Sequence, residues 1–201
     1  MQSKSFAHVL KIHGKKPVYN ADGVIQVVGV TAKENLHRLK KEHGISIHVD
    51  TLLTQKQKAY EKLLRANLKP QKGLVQLIKR LKAAGMKLAL ASSSSKKNIG
   101  IVLQGLGVKK YFPVVISGET LVRSKPDPEI FLKAAKALRV LPSECVVLED
   151  AHSGVLAGYR AGMQVIAVPN KFTRSHDFDK ARLVVPSLNK ISPKIIGVLG
   201  K

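Results

Sequence analysis

The stretch Cys145-Val-Val-Leu-Glu-Asp-Ala-His-Ser-Gly154 constrains this chain more than any other. Residues 145–148 are apolar and half of them β-branched, the pattern of a strand buried on both faces. Glu149 and Asp150 follow at once, then a short turn ending at Gly154 and a helix-like run over 155–162. Strand, acid pair and helix in that order place both carboxylates at the carboxyl end of a strand, where open α/β sheets bind ligands. Two like charges about 4 Å apart cost roughly 4 kcal/mol at an effective dielectric of 20. A cation between or beside them removes that cost, and oxygen-rich ligation suits magnesium. A solvated loop after a strand would carry the same two residues, so the rest of the chain has to decide.

Around that stretch the pattern alternates. Apolar spacing predicts helices over 73–84, 96–106 and 127–138, strands over 86–91, 113–116, 164–168 and 183–185, and a weaker helix over 187–199. Strands separated by helices of this length imply right-handed crossovers and a mostly parallel sheet, an α/β fold. Residues 1–70 read differently, as helices with little strand pattern. One helix lies over 5–13; a second is opened by Thr31 as N-cap with Glu34 in a capping box and stopped by Gly44. A third opens at Asp50 or Thr51, and 66–70 is the boundary with the α/β part. The expected division is therefore a helical domain over 1–70 and an α/β domain over 71–201.

Bulk properties narrow the class. The chain has 201 residues, 44% of them hydrophobic, enough for a core. No run approaches 18 apolar residues, so no membrane span is expected, and a single cysteine, Cys145, points to a reducing cytoplasm. Cys145 sits in a strand pattern and reads as a core residue. The net charge of +22 divides into +8 over residues 1–70 and +14 over 71–201, nearly equal densities with no basic tail. Nucleic-acid binders concentrate charge on one face, often with aromatics for stacking, and aromatics are 4% here. Dispersed lysines read as a solvated surface that steers anionic substrates, and no specific nucleic acid is expected. A nucleic-acid binder, suggested only by the charge, remains the outlying alternative.

Three features fall at comparable places. Ser92 follows the strand over 86–91, Lys125 lies in a loop before a helix with Pro126 after it, and Glu149 and Asp150 follow the next strand. Singly each has an ordinary reading: a turn serine, a surface lysine, a solvated acid pair. Together, a hydroxyl, an ammonium and two carboxylates on one sheet edge can grip a phosphate and the metal that neutralises it.

These motifs are similar to those of the haloacid dehalogenase superfamily, in the branch containing β-phosphoglucomutase and phosphoglycolate phosphatase. Leu88-Ala-Leu-Ala-Ser92-Ser-Ser resembles the second motif, Ser124-Lys125-Pro-Asp-Pro-Glu-Ile-Phe131 the third, and Val147-Leu-Glu149-Asp150-Ala-His-Ser-Gly154 the fourth. The tail from Val168-Pro-Asn to Val185 also matches, and Ala151 stands where the family commonly has serine. The resemblance implies a three-layer parallel-sheet core with an N-terminal helical cap. It implies that Ser92 binds the transferring phosphoryl, Lys125 stabilises it, Ser93 and Lys33 contact substrate, and Asp150 with Glu149 holds Mg2+. The implied activity is phosphatase or phosphomutase chemistry on a small phosphorylated metabolite, in a cytoplasmic protein expected to be a monomer.

One family motif has no counterpart. The family opens with a strand and Asp-x-Asp-Gly, whose first aspartate is the nucleophile and whose second is the general acid and base. Nothing before Gly14 resembles it; Asn20-Ala-Asp22-Gly is the one candidate, with asparagine at the nucleophile position. The stretch around Gly29 and Lys33 already resembles the middle of the cap. The expectation is that Met1 is internal to a longer reading frame carrying that motif, and that residues 1–201 alone are poorly stable with negligible phosphatase activity. In the family the missing strand lies between those ending at Ser92 and Asp150, so two facing strand edges should lack partners. A catalytically inactive phosphate-metabolite binding module is the alternative from another class.

Overall fold

The computed structural model describes residues 2–18 and 32–200. They form two compact units, Met1–Leu68 and Lys69–Lys201.

The first unit is helical. It comprises α1 (Gln2–Ile12), α2 (Ala32–Glu42) and α3 (Val49–Ala66), with α1 and α2 each packed on α3. Apolar residues three and four apart turn one face of each helix inward, and Phe6, Leu10, Leu36 and Leu52 are essentially inaccessible. Helix α2 stops as expected at Gly44, which takes a left-handed φ of 60° so that the Ile45 N–H reaches back to Lys40 O. The opening of α3 differs from expectation. His48 is the N-cap, its Nδ1 accepting from the Asp50 N–H at 3.4 Å, because a β-region backbone at 48 starts the helix two residues early. The Thr31 capping box, Gly29 and the Asn20–Asp22 candidate lie outside the described residues.

The second unit alternates helix and strand: α4 (Leu74–Ala83), β1 (Ala89–Ser92), α5 (Lys96–Gly105), β2 (Val114–Ser117), α6 (Glu129–Leu138), β3 (Val146–Glu149), α7 (His152–Arg160), β4 (Gln164–Ala167), β5 (Leu183–Val184) and α8 (Pro193–Leu199). The expected helix over 187–199 is broken. A single 3-10 turn at Leu188–Lys190 comes first, and α8 then starts afresh where Ser192 Oγ accepts from the Ile195 N–H and Pro193 takes the first helical position.

All strand pairs are parallel, as the crossovers require, but the sheet comes in two pieces. β1 pairs with β2, and β3 with β4 and then β5. Among the described residues, β1 and β3 are each an edge, and residues of both line a cavity of about 740 Å³. Both pieces share one layering. Ala91 of β1 and Val147 of β3 pack into the layer that holds Ile130, Phe131, Val155 and Ala157 of α6 and α7. Leu88, Leu90, Val146 and Leu148 turn to the opposite layer, under Leu77, Leu81 and Ile78 of α4.

Here the structure departs from the sequence reading. The strand over 145–148 is not buried on both faces: Val147 is buried in the layer with α6 and α7, while Val146 and Leu148, on the other face beside the cavity, are half-buried.

Candidate functional site

The strand ends place the chemistry. β1 finishes at Ser92, whose Oγ accepts from the Ser94 N–H at 3.2 Å, a local turn that lifts the serine loop over the sheet edge. Ser95 then caps α5, accepting from the Asn98 N–H at 3.2 Å. The loop is clamped from the side of β2: Ser117 Oγ donates to Ser94 O at 2.8 Å, and the Lys96 N–H donates to Glu119 Oε2 at 2.8 Å. Gly118 lies so near that a Cβ there would sit 2.9 Å from Ser93 Cα. Only a glycine lets the end of β2 approach Ser93 this closely.

Lys125 is held by a strapped loop. Its peptide bond to Pro126 is cis. Glu129, at the start of α6, accepts from the Val122 and Arg123 N–H groups at 3.1 and 2.9 Å and pairs with Lys133. The Lys133 bond, followed by the Arg123 N–H, holds the Glu129 carboxyl down at about 2. Asp127 Oδ1 accepts from the Glu129 N–H at 2.9 Å. From this base the Lys125 ammonium sits 4.7 Å from the centroid of the Phe131 ring and donates to Glu149 Oε1. The two paired side chains are 11% and 12% exposed.

That contact answers the question posed by the acid pair. Glu149 and Asp150 can stand side by side because a lysine ammonium neutralises the first of them. Gly154 makes room for the arrangement, since a Cβ there would lie 2.1 Å from the Glu149 carboxyl carbon. Asp150 is directed differently. It is exposed, and its Oδ2 accepts from Asn170 Nδ2 at 2.6 Å. Asn170 is fixed in turn, its Oδ1 accepting from the Phe172 N–H at 2.8 Å.

Ser92, Ser93, Lys125, Glu149 and Asp150 thus all line the same cavity, at the carboxyl ends of β1 and β3. Lys33 belongs to the helical unit, where its ammonium pairs with Asp50 Oδ1 at 2.7 Å and both side chains are more than half exposed. That pairing is the first cause that lowers the Asp50 carboxyl below its ordinary value. Cys145 borders the cavity floor, half-buried, and burial followed by the Glu144 charge pushes its thiol up, away from nucleophilic character.

Sequence reasoning missed Asn170 and Phe131 as members of the site. Asn170 was findable: it follows the strand β4 by the same strand-end logic that selected Ser92 and Asp150. Phe131 was not, because its place under the lysine depends on how α6 packs.

Magnesium takes six oxygens, usually one or two protein carboxylates with phosphate and water completing the shell. Asp150, exposed and at the strand end, fits that demand; Glu149 shares its charge with Lys125. Among the described residues, no group of three or more His, Cys, Asp or Glu side chains converges.

The family model of haloacid dehalogenase-like hydrolases matches residues 1–168, and the chain belongs to that family, in its β-phosphoglucomutase- and phosphatase-like branch. It is 34% identical over 165 residues to the bifunctional riboflavin kinase/FMN phosphatase of Arabidopsis thaliana, covering 82% of this chain and 43% of that protein. It is 30% identical over 163 residues to the phosphorylated carbohydrates phosphatase of Thermotoga maritima, covering 81% and 74%. The crystal structure of β-phosphoglucomutase from Clostridium difficile superposes with a TM-score of 0.75 at 26% identity, over 99% of this chain and 89% of that one. The chain spans about half the length of several curated relatives it matches. The α/β parallel-sheet fold implied by the motifs is the fold observed. No described helix is long and apolar enough to cross a membrane.

Proposed function

We propose that these residues form the phosphate-holding part of a magnesium-dependent phosphoryl-transfer site for small phosphorylated metabolites, sugar phosphates among them. One observation carries the reading: Ser92, Lys125, Glu149 and Asp150, from three separate segments, line one cavity at the carboxyl ends of parallel strands. Relatives named as phosphatases of FMN and of phosphorylated carbohydrates support the substrate class.

Ser92 Oγ donates to a phosphoryl oxygen, and the Lys125 ammonium, held by Glu149, screens the charge that develops there. Asp150, steadied by Asn170, would hold Mg2+, which when bound neutralises phosphate oxygens. Ser93 presents its hydroxyl and backbone to the substrate, and the helical unit acts as a cap, with Lys33 as its phosphate contact. As in the family the motifs resemble, a carboxylate nucleophile takes the phosphoryl group as the bond from phosphorus to the leaving oxygen breaks. Water then attacks the phosphoenzyme in a phosphatase, or a second sugar hydroxyl in a mutase.

Calorimetry with glucose 6-phosphate and magnesium, alongside an assay of phosphate release, tests this. Residues 1–201 should bind at millimolar or better affinity, lose most of it in Lys125→Met, and release no phosphate. Absent binding in the presence of magnesium would sink the site assignment, and brisk turnover by residues 1–201 would sink the expectation of negligible activity. An inactive binding module is the second reading, favoured by the missing third acid among the described residues. It predicts binding with no turnover even when an acid-bearing strand is supplied.

A further inference from the structure

The acid pair at the end of β3 presents four carboxylate oxygens, and three of them are engaged. Glu149 Oε1 accepts from the Lys125 ammonium, and Glu149 Oε2 from the Asp150 N–H at 3.3 Å. Asp150 Oδ2 accepts from Asn170 Nδ2 at 2.6 Å. Of the four, Asp150 Oδ1 is the one with no hydrogen-bond partner among the described residues, and Asp150 borders the cavity.

Asn170 enforces that division. It lies two residues past Val168, whose N–H donates to Glu149 O at 2.7 Å and ties the end of β4 to the end of β3. Asn170 then opens a turn that uses both of its backbone groups. Its N–H donates to Thr173 Oγ1 at 3.0 Å, and its carbonyl accepts from the Thr173 and Arg174 N–H groups at 3.1 and 3.0 Å. Its side-chain oxygen accepts from the Phe172 N–H at 2.8 Å. An amide whose oxygen is committed in this way has only N–H to offer on its other side. It therefore holds one Asp150 oxygen as a donor and cannot turn over to present an acceptor there.

We infer that Asn170 sets which metal this site prefers. By engaging Asp150 Oδ2 it leaves the acid pair one free oxygen, Oδ1, to give to a cation. Magnesium is small and demands a near-octahedral shell, which a single carboxylate oxygen fits, whereas calcium takes more oxygens and accepts both from one carboxylate. A pair with one oxygen free thus favours Mg2+ over Ca2+. The same bond fixes the rotation of the Asp150 carboxylate, as outer hydrogen bonds do for metal ligands generally. The metal preference rests on Asp150 being the metal ligand, as proposed above; the division of the oxygens does not.

Titration of residues 1–201 with magnesium chloride and with calcium chloride at constant ionic strength, followed by NMR at the Asp150 backbone amide and the Asn170 side-chain amide, tests this. In the wild type Mg2+ should bind more tightly than Ca2+, and the Asn170 side-chain amide should exchange slowly both without and with magnesium. Asn170→Ala should weaken Mg2+ binding about ten-fold, while Ca2+ binding holds or tightens. Asn170→Asp keeps an acceptor for the Phe172 N–H but offers Asp150 no donor, and should move the ratio toward Ca2+ as well. Thr173→Ala loosens the same turn without touching Asp150 and should leave the ratio unchanged. Three results overturn the inference while the metal site stands: a ratio that stays or moves toward Mg2+ in either Asn170 variant, an equal shift in Thr173→Ala, or a wild type that prefers Ca2+. Loss of the slow Asn170 exchange when magnesium binds also overturns it, and that measurement needs no variant. No metal-dependent shift at Asp150 in any of these proteins refutes the metal site itself, and the preference with it.

Discussion

The Lys125–Glu149 pair should be the most strongly coupled contact in the α/β unit. Its side chains are only 11% and 12% exposed, and Lys125 also lies over the Phe131 ring. Removing one member of a buried pair strands the other charge, at about 3–5 kcal/mol; near the mouth of a cavity the lower figure applies, about 3 kcal/mol. Lys125→Met and Glu149→Gln should therefore each destabilise by about 3 kcal/mol. Lys125→Met additionally loses a cation–π contact worth about 1 kcal/mol. The double variant, with no charge left to strand, should cost little more than either single, a coupling of about 3 kcal/mol. Urea unfolding followed by circular dichroism, on the wild type and the three variants at pH 7 without magnesium, measures the cycle. Additivity to within about 0.5 kcal/mol would refute the claim that this lysine is what allows two adjacent acids to coexist.

Gly154→Ala should force the Glu149 carboxylate off Lys125, because the added Cβ would lie 2.2 Å from Oε2. In a Glu149→Ala background the same change should instead stabilise α7 by about 0.5–1 kcal/mol, and a loss in both backgrounds would show the clash lies elsewhere. Glu129 should titrate near 2 by NMR. Because its folded value is depressed, its contribution is present above the ordinary carboxyl value of 4.5 and fades as pH falls through about 2; Lys133→Met should raise the midpoint, and an unmoved one would contradict the assignment. Lys56 is buried between Phe6 and Tyr60 with Gln2 as hydrogen-bond partner, and burial lowers its pKa. The unfolded chain then holds more protons, so stability rises with pH between the folded value and 10.5. Lys56→Met should be neutral to about 1 kcal/mol stabilising at neutral pH and should flatten that slope; a loss above 1 kcal/mol would count against it.

Local pattern made much of this protein legible. Apolar spacing located each helix and strand of the α/β unit to within a few residues, because strands and helices here are punctuated by glycines and prolines that end them whatever the tertiary context. The exception was the tail, where Pro193 and the Ser192 cap broke a single expected helix into a turn and a shorter helix. Strand-end position selected Ser92, Glu149 and Asp150, since a parallel sheet delivers those ends to one edge.

Packing decided what those residues do to each other. No spacing rule says that Lys125, twenty-four residues away, reaches Glu149 over the Phe131 ring, or that Gly154 leaves room for the carboxylate. Nor does the sequence show Val146 and Leu148 half-buried instead of buried. The residues determined which segments become strands and which side chains stand at their ends, through periodicity that acts within one segment. That the edges of β1 and β3 lack partners among the described residues was expected from the family resemblance; the tertiary structure decided the cavity of about 740 Å³ beside them and which side chains line it, because that depends on how the helices pack across the fold.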